Sequence, residues 1–128
     1  MNHPATILLA EDDRILRKAG EATLKKKGYA VIAAVDGEDA LAKAREHKPD
    51  LILLDVIMPK LQGFEVLASL KGDAATRDIP VIMLSNLQEE SDVRRAVDGG
   101  ALDYLVKSNV QLDVLAAKVA EALARQRT

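Results

Sequence analysis

Short aliphatic runs alternate with longer helix-like segments five times along this chain of 128 residues. The first four runs show little polar alternation, which is typical of strands covered on both faces of a sheet. The five predicted strands are 5–10 (ATILLA), 30–35 (AVIAAV), 51–55 (LILLD), 80–84 (PVIML) and 103–107 (DYLVK). This alternation predicts an α/β fold with a parallel sheet and helices on both of its faces.

Between the predicted strands, residues that suit a buried helix face recur at intervals of three and four. These positions are Leu16, Ala19 and Thr23 in a first helix over about 14–27, then Ala40, Leu41 and Ala44, then Phe64, Leu67 and Leu70, then Val93, Ala96 and Val97, and finally Leu112, Leu115, Ala116, Val119 and Leu123. Gly28 and the pair Gly99-Gly100 are typical helix ends.

The charge balance does not favour a nucleic-acid-binding surface. The chain has 18 Lys and Arg against 20 Asp and Glu, for a net charge of -2. Its one basic cluster, Lys25-Lys26-Lys27, lies at a predicted helix end, where cations stabilise the helix dipole. We therefore expect no direct contact with DNA or RNA.

Redox, zinc and membrane functions are also not indicated. The chain has no cysteine, and its two histidines, His3 and His47, are far apart in the sequence. No apolar run approaches the length of a membrane span, and the N-terminal residues lack the pattern of a signal peptide. We expect a cytoplasmic protein that does not bind membranes.

Polar and charged residues stand at the ends of four predicted strands. Glu11-Asp12-Asp13 follows the first strand, Asp55 ends the third, Ser85 follows the fourth and Lys107 ends the fifth. Ligands of open α/β sheets bind at the carboxyl ends of the strands, where these residues would converge. Clustered carboxylates repel one another unless a cation neutralises them. Oxygen ligands alone favour a hard divalent ion, Mg2+ before Ca2+.

Each of these residues alone has an ordinary structural explanation. Asp12 and Asp13 precede a helix and are common capping residues. Ser85 is compatible with a turn, and most lysines such as Lys107 are solvated. The coincidence of compatible groups at four strand ends is what favours a functional site.

Four stretches then identify a resemblance to a known family. They are ILLAEDDRILR (7–17), LILLDVIMPKLQGFEVL (51–67), PVIMLSN (80–86) and GALDYLVKS (100–108). In this order they resemble the receiver domain of bacterial two-component response regulators, similar to the chemotaxis regulators. The resemblance covers 1–128 as a single receiver domain, and it implies a doubly wound (βα)5 fold with flavodoxin-like strand order 2-1-3-4-5.

The resemblance implies roles for individual residues. Asp55 would be the phosphoryl acceptor, and Lys107 would pair with the phosphate. Glu11 and Asp12 would bind Mg2+ together with Asp55, Glu11 through water, whereas Asp13 would cap the helix. The backbone carbonyl of Ile57 is also implied as a metal ligand.

Ser85 and Tyr104 are the implied switch residues. Ser85 would hydrogen-bond a phosphoryl oxygen, and Tyr104 occupies the position of the family's rotating aromatic residue. An alternative for Tyr104 is a half-buried strand residue with its hydroxyl group in water.

The implied function is a phosphorylation-dependent switch that is not an enzyme beyond catalysing its own phosphorylation and dephosphorylation. Its implied partners are a sensor histidine kinase or phosphotransfer protein and, through the face of the fourth helix, fifth strand and fifth helix, a downstream protein or output domain. We expect a monomer or weak dimer. The alternative is a receiver-like interaction module that is not phosphorylated.

Two residues depart from the family pattern. Ser108 stands where a proline usually follows the lysine, and with Gln111 it is compatible with a helix capping box. Asn86 replaces the usual small residue after Ser85. The sequence leaves open whether an output domain follows Thr128 in the full gene product or whether the chain acts alone.

Other classes that share the architecture fit less well. Dinucleotide-binding domains need a glycine-rich turn after the first strand, where this chain has AEDD. The Lys107-Ser108 pair lacks the glycine of a P-loop. Phosphatases of the haloacid dehalogenase type carry a second acid two residues after the aspartate, where this chain has Ile57.

Overall fold

Strands and helices alternate strictly along the chain. A computed structural model describes residues 4–56, 60, 62–85, 90–107 and 112–126. Its elements are β1 (Thr6–Ala10), α1 (Arg14–Lys26), β2 (Ala30–Ala34), α2 (Gly37–His47), β3 (Leu51–Asp55), α3 (Gly63–Gly72), β4 (Val81–Ser85), α4 (Glu90–Asp98), β5 (Asp103–Val106) and α5 (Leu112–Gln126). Each predicted strand agrees with the observed one to within one residue at either end.

The five strands form one sheet in the order β2-β1-β3-β4-β5, and all neighbouring pairs are parallel. This confirms the predicted fold class and strand order. β3 is the central strand, and all five of its residues are buried. Because β1 and β4 flank it, whatever β3 carries at its carboxyl end lies between the ends of those two strands.

Helices cover both faces of the sheet, as predicted. Alternate residues of β3 enter different hydrophobic clusters: Ile52 and Leu54 pack with α2, α3 and α4, whereas Leu51 and Leu53 pack with α1 and α5. A central strand covered on both faces needs apolar side chains at every position, which explains the unbroken run LILL.

Some of the periodic apolar residues do not reach the core. Val97 is 60% exposed and Val93 37%, because, among the α4 side chains that the structure describes, only the small Ala96 is fully buried against the sheet. Leu16 and Leu112, about half exposed, line a mostly apolar hollow of about 110 Å³ between α1 and α5. Helical periodicity identified the helices correctly, but it overstated how much of these faces is buried.

None of the helices in the described ranges combines the length and the apolar character that a bilayer crossing requires.

Candidate functional site

Strand register brings the predicted residues to one edge of the sheet. Ala10 of β1 pairs with Leu54, so that Glu11 follows beside Asp55. On the other side of β3, Asp55 pairs with Leu84, the residue before Ser85. Lys107 follows β5 directly. These residues, with Asp12, Asp13 and Leu16, line an open crevice of about 260 Å³.

Three carboxylates converge in this crevice. One oxygen from each of Glu11, Asp12 and Asp55 lies within 4.8 Å of the others. Glu11 and Asp55 are only 4% and 5% exposed, whereas Asp12 is exposed. Burial raises the pKa of the Glu11 carboxyl; the neighbouring Asp55 also raises it, and Lys107 only partly offsets these effects. The negative charge of Glu11 is therefore not fully compensated by Lys107, and a further cation would stabilise it.

Lys107 is the cation of the site. Its Nζ donates a hydrogen bond to Asp55 Oδ2 at 2.7 Å and a second to Glu11 Oε1. Burial alone would lower the pKa of Lys107, but its bonds to Asp55 and Glu11 outweigh burial and raise it. The ammonium group is thus held in its charged form between two buried acids.

The donor set fits a divalent cation. Three carboxylates and one ammonium carry a formal charge of -2, from three negative charges and one positive. Oxygen donors without sulfur or imidazole are the ligands that Mg2+ prefers. The residues Glu11, Asp12 and Asp55 could therefore hold Mg2+.

Asp13 also lines the crevice, but its carboxylate caps the helix and is not one of the three clustered carboxylates. Its Oδ1 accepts hydrogen bonds from the backbone N–H groups of Ile15, at 2.9 Å, and Leu16, at 3.1 Å. It is therefore the N-cap of α1, as predicted. The cap and the Glu11 N–H, which donates to the Ala34 carbonyl at 3.1 Å, fix both ends of the turn between β1 and α1.

Ser85 and Tyr104 are in contact. Ser85 is fully buried, and Tyr104 on the neighbouring strand β5 is half-buried. Burial raises the pKa of the Tyr104 phenol, while a hydrogen bond with the Ser85 side chain opposes this shift. The phenol thus contacts a residue of the crevice. The switch role of Tyr104 stays a prediction.

Gly63 packs against the backbone of the site, a role that its residue type alone did not indicate. Its N–H donates to the Val56 carbonyl at 2.8 Å. A Cβ atom at this position would lie 2.3 Å from the Asp55 carbonyl oxygen and 2.7 Å from the Val56 Cα. The start of α3 thus packs directly against the backbone that carries Asp55.

A surface ion pair joins Lys60, in the segment after β3, to the start of α2. Lys60 Nζ lies 3.5 Å from Asp36 Oδ2, the N-cap residue of α2. Lys60 itself has a φ of +68°, a left-handed backbone conformation that is unfavourable for residues other than glycine.

Four predicted positions lie outside the described residues: Ile57, Asn86, Ser108 and Gln111.

Comparisons with known proteins agree with this geometry. Residues 7–120 match the family described as "Response regulator receiver domain". The "Gliding motility regulatory protein" of Myxococcus xanthus is 44% identical over 113 residues, 88% of this chain but 14% of that protein. "Transcriptional regulatory protein AfsQ1" of Streptomyces coelicolor is 41% identical over 120 residues, 94% of this chain and 52% of that protein. The chain thus spans at most about half the length of these relatives.

A solved structure extends the likeness to the fold. The chemotaxis protein CheY4 of Vibrio cholerae is 30% identical with a TM-score of 0.86, over 92% of this chain and 98% of that one. The parallel sheet in the order β2-β1-β3-β4-β5, the acidic crevice and the family match over 7–120 lead to one conclusion. This chain belongs to the receiver domain family of two-component response regulators.

Proposed function

We propose that this chain is a phosphorylation-dependent switch in which Asp55 accepts a phosphoryl group while Glu11, Asp12 and Asp55 hold Mg2+. Receiver domains are signalling modules rather than conventional enzymes, so the only reactions proposed are the phosphorylation and dephosphorylation of Asp55. The observation that carries the proposal is the hydrogen bonding of Lys107 to both Asp55 and Glu11, where three carboxylates meet.

Asp55 is suited to act as the nucleophile. A carboxylate oxygen can attack phosphorus to form an acyl phosphate. The bond from phosphorus to a histidine nitrogen of a kinase or phosphotransfer protein, or to the carboxylate oxygen of a small acyl phosphate, breaks in the same step. The leaving group keeps the bonding electrons. β3 holds the Asp55 backbone within the sheet, so the carboxylate has a fixed position at the crevice.

Lys107 and Ser85 would stabilise the transferred group. Once Asp55 carries the phosphoryl group, Lys107 can donate to a phosphoryl oxygen, because its ammonium already contacts the acceptor carboxylate at 2.7 Å. Ser85 supplies a buried hydroxyl donor at the end of the neighbouring strand. Mg2+, when bound, supplies positive charge that offsets the charge of the carboxylates and the phosphoryl oxygens.

The contact between Ser85 and Tyr104 supports a route from the site to a binding surface. A phosphoryl group adds roughly one to two negative charges and strong acceptors beside Ser85. If Ser85 turns toward it, Tyr104 loses its hydrogen-bond partner and the α4–β5–α5 face repacks. Val93 and Val97, exposed on α4, give this face apolar area for a downstream protein or output domain. A cytoplasmic location and a monomer or weak dimer stay predictions.

Intact-mass spectrometry after incubation with acetyl phosphate tests the proposal. We expect the wild-type chain to gain one phosphoryl group with Mg2+ and none with excess EDTA. Asp55→Asn should gain none. Asp98→Asn, which removes an exposed carboxylate of α4, should behave as the wild type does. Equal labelling of Asp55→Asn, or no labelling of the wild type, would refute Asp55 as the acceptor.

A further inference from the structure

Arg17 makes a contact that no sequence motif predicted. It lies one turn into α1, and its guanidinium group points back to the turn between β1 and α1. Nη1 donates hydrogen bonds to the backbone carbonyls of Glu11, at 3.0 Å, and Asp12, at 3.2 Å. Within the described residues these two main-chain oxygens are its acceptors, and it forms no ion pair with a carboxylate there.

The two carbonyls belong to consecutive residues whose side chains enter the crevice. Holding two successive carbonyls fixes the orientation of the peptide units on either side of the Asp12 Cα, and with it the direction of the Asp12 side chain. A hydrogen bond from a charged guanidinium is stronger than one between neutral groups. Arg17 therefore restrains the backbone from which the Glu11 and Asp12 side chains extend toward Asp55.

We propose that Arg17 is a positioning residue of the metal site, which orients the Glu11 and Asp12 carboxylates for Mg2+ through their main-chain carbonyls. The inference rests on the proposed function, because it requires the crevice to bind Mg2+. It goes beyond that function by assigning part of the metal affinity to a helix residue that contacts neither the metal nor the phosphoryl group.

The charge of Arg17 and its positioning role have opposite effects on the affinity for Mg2+. A guanidinium group close to the crevice repels a divalent cation, so removing the charge alone would leave Mg2+ binding unchanged or tighten it. Loss of positioning has the opposite effect. Removing groups that orient metal ligands typically weakens metal binding about 10- to 100-fold.

The test is a Mg2+ titration of three variants, followed by isothermal titration calorimetry or by amide NMR. We expect Arg17→Met to raise the Kd for Mg2+ about tenfold. Arg17→Lys should stay within roughly threefold of the wild type, because an ammonium can still donate to carbonyl oxygens. Arg14→Met, which removes an exposed cation from the first turn of α1, should bind Mg2+ as tightly as the wild type or more tightly.

The outcomes separate this inference from the proposed function. If the wild type binds no Mg2+, the proposed metal site fails, and the inference fails with it. If the wild type binds but Arg17→Met binds equally or more tightly, or if Arg14→Met weakens binding as much, only the positioning role is overturned. Thermal unfolding without Mg2+ checks that Arg17→Met is folded. If it is not, Arg17→Gln, whose shorter neutral side chain cannot reach the two carbonyls, takes its place: a Kd raised about tenfold supports the inference, and a Kd within roughly threefold of the wild type overturns it.

Discussion

At the scale of single residues, a glycine packs as closely on the site as the acids that form it. Gly63 begins α3 directly beneath the backbone of Asp55 and Val56, at a distance that leaves no room for a Cβ atom. Any other residue would have to displace the end of β3 or the start of α3. Asp55 Oδ2 accepts a hydrogen bond from Lys107 Nζ at 2.7 Å, so such a displacement would also disturb this ion pair.

We expect Gly63→Ala to lower the free energy of unfolding by about 2 kcal/mol, as overpacking against rigid backbone does, and to weaken Mg2+ binding. Urea unfolding and a Mg2+ titration measure the two effects. Gly72→Ala is the matched control, since a Cβ atom there meets nothing within 4 Å. It should be neutral or stabilising by about 0.5 kcal/mol. A Gly63→Ala variant as stable as Gly72→Ala would contradict the packing argument.

The contribution of Gly63 and Arg17 could not be predicted from the sequence, for a common reason. Both act on backbone atoms: Gly63 by making room for the Asp55 carbonyl, and Arg17 by donating to the carbonyls of Glu11 and Asp12. Residue types indicate which side chains bear chemistry, but they do not show which carbonyl a distant group approaches. The acids and Lys107 were predictable because charged side chains stand out at the ends of aliphatic strands.

At the scale of elements, the turn between β1 and α1 divides its three acids between two tasks. Asp13 accepts hydrogen bonds from two backbone N–H groups of α1, whereas Glu11 and Asp12 contribute oxygens to the carboxylate cluster. The acids are adjacent in sequence, but the change from strand to helix turns their side chains in different directions.

We expect this division to appear in two substitutions. Asp13→Ala should lose about 1 kcal/mol of stability through the missing cap and change the Kd for Mg2+ by no more than roughly twofold. Asp12→Asn should keep its stability and weaken Mg2+ binding at least about tenfold, because it removes a charged ligand. Chemical denaturation and calorimetry provide the comparison. Equal losses of Mg2+ affinity in both variants would show that Asp13 is also a ligand.

The elements differ in how well the sequence predicted them. Strand bounds were accurate because strands covered on both faces need unbroken aliphatic runs, and polar residues end those runs at the sheet edge. The burial of α4 was less predictable. Its valines repeat at helical spacing, yet Val93 and Val97 remain exposed while Ala96 packs into the core. Periodicity does not distinguish a face that meets the core from one available to a partner.

At the scale of the whole molecule, topology makes the site. The order β2-β1-β3-β4-β5 brings together residues as far apart in sequence as Glu11 and Lys107, which the linear chain separates by most of its length. It also pairs Tyr104 of β5 with Met83, two residues before Ser85 on β4, so that the phenol of Tyr104 reaches the Ser85 side chain at the crevice. A charge added at Asp55 would therefore lie close to the α4–β5–α5 face, to which we propose that a partner binds.

The most direct test of the proposed switch is the amide NMR spectrum of the chain titrated with beryllofluoride, a mimic of the phosphoryl group, in the presence of Mg2+. We expect shifts that depend on Mg2+ and extend from Asp55 through Ser85 to Tyr104 and α4, and that are absent in Asp55→Asn. A spectrum that does not respond, or that responds equally in Asp55→Asn, would contradict the switch and favour an interaction module that is not phosphorylated.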